Sequence, residues 1–181
     1  IPYYLETVKK GTSVAQNIDE SCFNKSGLLY DEFQNLYASI FTNHENHVKV
    51  IEALSKKNVG LNRDALLQHT KMNDGGSFSK ILEELEESGF IRKYNYFGKS
   101  KRDALYQLID FYSLFYFNFL KSNTQENYWS ANIDNPKHRA WTGYSFELVC
   151  LMHEKQIKKA LGIEAVQANV SSWKSKNDSQ N

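Results

Sequence analysis

The densest chemistry in this chain lies between residues 91 and 103. Arg92, Lys93, Lys99, Lys101 and Arg102 stand there against Asp103 alone, with Tyr94, Tyr96 and Phe97 interleaved. Cations spaced along a hairpin neutralise phosphates, and rings between them pack on sugar or base faces. The pattern therefore suits a nucleic-acid backbone. The plainer alternative is an exposed turn kept soluble by lysines. Just upstream, "SFSKILEELEESGF" carries Ser77, Ser79 and Lys80 on its first turn, where a helix entering a DNA groove makes its contacts. The rest of that helix argues against such entry. Glu83, Glu84, Glu86 and Glu87 point outward with Lys80 the only base, and like charge is repelled by phosphates.

Other reactive side chains are sparser. His44 and His47 share one helical face and have the spacing of a metal-binding pair. With no third ligand nearby they read as a surface pair at a helix start. Cys150 and His153 lie on neighbouring turns within an apolar run, which suits a buried, inert thiol better than a nucleophile. "NDGGSFSK" has glycines and a lysine but not the spacing of a phosphate loop. Glu147, between Phe146 and Leu148, can be an ordinary glutamate at the edge of a core helix. It can also be a metal-binding carboxylate that needs acids from later strands.

Periodicity shows what must position these groups. Val14, Ile18, Cys22 and Phe23 recur near helical spacing, with Ser13 as cap. Leu29, Phe33, Leu36, Tyr37 and Ile40 form a second stripe, with Gly27 between the two. Val48, Ile51 and Leu54 predict a helix. Asn62 caps a second, with Leu66 and Leu67 inside. Phe78, Ile81, Leu82 and Leu85 predict a third, and Gly89 sits where a helix end needs a left-handed residue. "FIRKYNYF" and "DALYQLID" then alternate as strands around "GKSKR". Three helices and a two-stranded wing in this order predict a winged helix-turn-helix domain. "FYSLFYFNFL" predicts an aromatic helix too short to span a bilayer. Residues 124–139 are polar and turn-rich and predict a linker. Residues 140–162 predict one long helix, and "EAVQANVSSW" a strand.

The 181 residues carry a net charge of +1, so no global field draws the chain onto nucleic acid. A 41% hydrophobic and 24% charged composition suits a globular protein, and 14% aromatics imply a core built on rings. The two cysteines form no disulfide or zinc framework, which favours a cytoplasmic setting. Neither a signal peptide nor a membrane helix is visible. A start at "IPYYLETVKK" and an end at "SSWKSKNDSQN" read as cut from a longer protein.

Together "IPYYLETV", "LEELEESGFIRKYNYFGKSKRDALYQLID", "FYSLFYFNFL" and "RAWTGYSFELVCLMHEKQIKKALGI" resemble the C-terminal region of prokaryotic, archaeal-type ATPases of the AAA/STAND class. Those proteins end in a domain of unknown function related to the PD-(D/E)xK nuclease fold. The resemblance spans essentially the whole chain and is most specific after the wing. It implies a mainly α protein with a helical lid region over 1–43 and a winged helix with its trailing aromatic helix over 44–123. A linker over 124–139 and the start of an α/β nuclease-like module over 140–181 would follow. It implies no catalytic residue in this chain, with Glu147 matching an acidic position of the nuclease-like fold. The partner acids would lie beyond Asn181 and the phosphate loop before Ile1. ATP and Mg would belong to the parent protein, itself an ATPase. The implied partners are the protein's own ATPase and nuclease-like domains and double-stranded DNA, with no membrane and with oligomer formation left open. A free-standing winged-helix DNA-binding regulator and a metal-dependent nuclease are the rival readings.

Overall fold

The computed structural model describes residues 2–95, 104–123 and 125–166. In chain order the first helices are α1 (Pro2–Glu6), α2 (Val14–Ile18) and α3 (Glu32–Ile40). Next come α4 (Glu45–Ser55), β1 (Leu61–Asn62), α5 (Arg63–Thr70), α6 (Gly76–Glu87), β2 (Ile91–Tyr94) and β3 (Leu105–Leu108). Last are α7 (Phe111–Phe115), α8 (Tyr128–Ala131), α9 (Pro136–Met152) and α10 (Glu154–Ala160). The described residues are thus mainly helical with one small antiparallel sheet, and no described helix is long and apolar enough to cross a membrane. The chain divides into two units: residues 1–44 with 112–142, and residues 45–111 with 143–181.

In the first unit, Ser13 caps α2 as its position foretells. Gln16 N–H donates to Ser13 Oγ, and Ser13 N–H donates back to Gln16 Oε1 at 2.8 Å. The predicted stripe nevertheless breaks. Residues Asp19–Phe23 continue α2 as a π-helical turn, closed by Asn24 N–H donating to Asp19 C=O. The buried face runs through Ala15, Asp19, Cys22 and Phe23, one residue off the expected stripe, so Cys22 and Phe23 are buried while Val14 is 77% exposed. On α3, Phe33 and Tyr37 are buried as expected, but Ile40 is exposed and Phe41 takes its place inside. The aromatic helix likewise passes from α7 into a π-helical turn at Tyr116–Leu120. Its rings fill the core: Phe33 stacks on Tyr116 with centroids 3.8 Å apart, and Tyr37 Oη lies 2.7 Å from Ser113 Oγ.

Residues 124–139, expected as a polar linker, contain α8 and the first turn of α9. Tyr128 and Trp129 pack on Phe23 and Phe119, and buried Asp19 accepts from the Trp129 and Ser130 amides at 2.7 and 2.9 Å. Two rings within a polar stretch provide enough apolar surface to anchor it.

The second unit follows its periodicity closely. Ile51, Leu54, Leu66, Phe78, Ile81, Leu82 and Leu85 are all buried, while Val48 and Leu67 are half-buried. Asn62 Oδ1 accepts from Ala65 N–H at 2.9 Å, capping α5. Gly89, at φ +75°, ends α6 with paired bonds from Phe90 N–H to Leu85 C=O and from Gly89 N–H to Glu86 C=O. Periodicity missed β1, which is only two residues long and doubles as the cap of α5. It pairs with β3, giving the sheet order β1-β3-β2. Arg92 faces Gln107 and Lys93 faces Tyr106 across β2 and β3.

One further expectation fails, and another lies mostly outside the described residues. The long helix over 140–162 is broken at His153, between α9 and α10. The ring Nδ1 of His153 lies 2.9 Å from the Val149 carbonyl oxygen, so a side chain shares the acceptor that the helix uses. The strand expected from Glu164 begins as a turn through Val166, and its remainder lies outside the described residues.

Candidate nucleic-acid interface

Ser77, Ser79 and Lys80 are exposed on the first turn of α6, as the sequence places them. Their surroundings are built by a residue the sequence reading passed over. Arg63, at the start of α5, donates from Nε to Asp74 Oδ1 at 2.9 Å, and a terminal nitrogen reaches Ser79 Oγ at 3.0 Å. Its guanidinium also lies 5.0 Å from the Phe78 ring centroid. Arg63 thus ties the turn before α6 to the first turn of α5 and helps offset Asp74. Its position directly after a cap residue is the only sequence signal for it. Lys80 sits 3.6 Å from Glu84, an i,i+4 pair of small energetic weight at the surface.

The glutamates of α6 do not act as one face. Glu84 Oε2 lies 2.8 Å from Nε2 of His47, which is 4% exposed. The hydrogen bond from His47 holds the Glu84 carboxyl below the usual carboxylate range. His47 is therefore no part of a surface pair with His44. Only one face of α4 can pack on α6, and residue 47 falls on it. Glu83, Glu86 and Glu87 remain exposed and acidic.

The basic strand residues separate as well. Consecutive strand residues face opposite sides, so Arg92 and Lys93 cannot share a surface. Lys93 is exposed, with Nζ 5.7 Å from the Tyr106 ring centroid. Arg92 is half-buried. Its Nε donates to Gln107 Oε1 at 2.7 Å, and its guanidinium lies 4.8 Å from the Tyr94 ring. Gln107 in turn donates to the Asn58 carbonyl at 2.6 Å and lies 3.3 Å from Tyr144 Oη on α9. Burial pushes the Tyr144 phenol up, above its ordinary value. All four residues of β3 are buried, on both faces of the sheet. Lys99, Lys101 and Arg102, with Tyr96 and Phe97, lie outside the described residues.

Glu147 is exposed, beside Phe146 at 69% exposure and buried Leu148. Among the described residues, no group of three His, Cys, Asp or Glu side chains could hold a metal ion. Asp74 and Gly75 lead into α6, which begins at Gly76, without the spacing of a phosphate loop. The described residues therefore do not fit ATP with magnesium. Cys22 is buried and its thiol is pushed up to about 12, mainly by burial, which leaves no thiolate for nucleophilic chemistry. Cys150 is half-buried. No family model, no curated protein and no solved structure matches the chain.

Proposed function

We propose that this chain is a non-catalytic connecting region of a prokaryotic P-loop ATPase. Its residues 45–110 form a winged helix that couples the ATPase to a nuclease-like tail, and any duplex DNA contact falls to the wing. The observation that carries the reading is the order α4-β1-α5-α6-β2-β3 with the antiparallel sheet order β1-β3-β2. A short strand between the first two helices, paired with the last strand, is what a winged helix needs to hold its hairpin against its helices. Three further facts favour coupling over sequence reading. Exposed Glu83, Glu86 and Glu87 repel phosphates, Arg92 is engaged within the unit, and Lys93 lies on the opposite face. The resemblance to AAA/STAND-type ATPases supplies the parent activity and the tail.

The test is the titration of a fluorescein-labelled 20-base-pair duplex at low salt, read by anisotropy. Weak binding, with Kd in the range of about 1–100 μM typical of non-specific contact, is expected. The combined Lys99→Glu, Lys101→Glu and Arg102→Glu variant should lose it while its thermal melt is unchanged. Submicromolar, sequence-dependent binding would instead support a free-standing regulator. Metal-dependent cleavage abolished by Glu147→Ala would support a nuclease.

A further inference from the structure

The network around Gln107 joins elements that the sequence treats as unrelated. Gln107 is 5% exposed, and its orientation is fixed chemically. Arg92 Nε can only donate, so the Gln107 oxygen faces it. The Asn58 carbonyl can only accept, so the Gln107 amide faces that. Tyr144 Oη donates to the same Asn58 carbonyl at 3.1 Å and is left to accept from the Gln107 amide. Tyr94 Oη donates to the neighbouring Val59 carbonyl. Side chains from β2, β3 and α9 thus converge on one turn, Asn58–Gly60. That turn has little freedom. Gly60 holds φ +89°, and a Cβ there would lie 2.3 Å from the Tyr106 carbonyl oxygen.

The geometry points to a latch. Through Tyr144 and the positioning residue Gln107, α9 sets how the β2–β3 hairpin is held, and so how the wing is presented to a nucleic-acid backbone. The second clause rests on the function proposed above; the first does not. Leu148 lies one turn beyond Tyr144 and is buried, so the same face of α9 is packed as well as hydrogen-bonded. Loss of one satisfied hydroxyl leaves one Gln107 amide N–H without its partner and removes a donor from Asn58. This weakens the hold without emptying the core.

Amide hydrogen exchange of the full chain, read by mass spectrometry, tests the latch. In Tyr144→Phe, peptides covering Ile91–Tyr94 and Leu105–Leu108 should exchange about three- to tenfold faster, a hydrogen bond's worth of local opening. Peptides covering α4 and α6 should exchange as in the wild type. Gln107→Glu keeps an acceptor for Arg92 but loses both donations and sets a carboxylate oxygen against the Asn58 carbonyl, and should speed the same strand peptides at least as much as Tyr144→Phe. Unchanged strand exchange in either variant overturns the latch. So does uniform acceleration across residues 45–111, which is general destabilisation. Duplex anisotropy in parallel should show Tyr144→Phe binding about threefold or more weakly. Equal affinity of Tyr144→Phe and wild type overturns the link to the wing. A wild type that binds no duplex defeats the functional reading, and the exchange data still decide the latch.

Discussion

His138 is 3% exposed, and neither ring nitrogen has a hydrogen-bond partner among the described residues. It stacks on Trp129 with centroids 4.0 Å apart and meets the Phe119 ring edge-on. Burial, and then the neighbouring Lys137 charge, hold its pKa below the ordinary 6.5. The folded protein therefore resists a proton that the unfolded chain accepts. Its contribution is complete above about 6.5 and is lost as pH falls from there through the lower folded value. Thermal melts taken between pH 7.5 and 5 should show the wild type losing stability on acidification. His138→Leu should lose measurably less, and equal slopes would acquit the imidazole. Cys22 gives a second residue-scale expectation. With its thiol pushed up to about 12 and packed beside Phe23 and Phe119, it should resist a thiol reagent at pH 8 until the chain unfolds. Fast labelling of Cys22 in the native protein would contradict this.

Among the elements, two glycines separate backbone conformation from packing. Gly89 ends α6 at φ +75° with open space where a Cβ would sit. Gly89→Ala should therefore cost only the left-handed penalty, about 1–2 kcal/mol. Gly60 carries a similar φ and in addition meets the Tyr106 carbonyl at 2.3 Å. A methyl group there must push β1 from β3, so Gly60→Ala should cost clearly more than Gly89→Ala in a urea titration. Equal losses would mean that the turn can relax. The two π-helical turns make the same point about elements. Each lets a five-residue helix continue while turning its rings inward. Val14 is exposed because the buried face runs through Ala15, Asp19, Cys22 and Phe23, and Phe119 is buried one turn beyond Phe115.

For the molecule as a whole, a net charge of +1 means that any nucleic-acid affinity must be local. Exposed Lys80 and Lys93 lie near acidic or aromatic neighbours, and Arg92 is engaged inward. The described residues can then neutralise few phosphates, and the wing adds Lys99, Lys101 and Arg102. The dependence of log Kd on log salt should be shallow, with a slope of magnitude no more than about 3. A slope of about 6 or more would require a larger basic surface than the described residues provide. It would shift the reading from coupling toward a dedicated DNA binder.

Local pattern sufficed wherever a structure depends on neighbours in sequence. The caps at Ser13 and Asn62, the buried stripe Phe78, Ile81, Leu82 and Leu85, the left-handed end at Gly89 and the strand pair β2–β3 were all legible. Their hydrogen bonds and burial are decided within a few turns of chain. The placement of polar groups was not legible. Charge in the sequence marked Glu84, His47 and Arg92 as surface residues. Partners on other elements hold them: His47 and Glu84 are 37 residues apart, and Arg92 and Gln107 are 15 apart. Tyr128 and Trp129 became core because Phe23 and Phe119 lie against them, although their own stretch is polar. A buried polar group is stable only with a matching partner, and which partner it meets is decided when the elements pack.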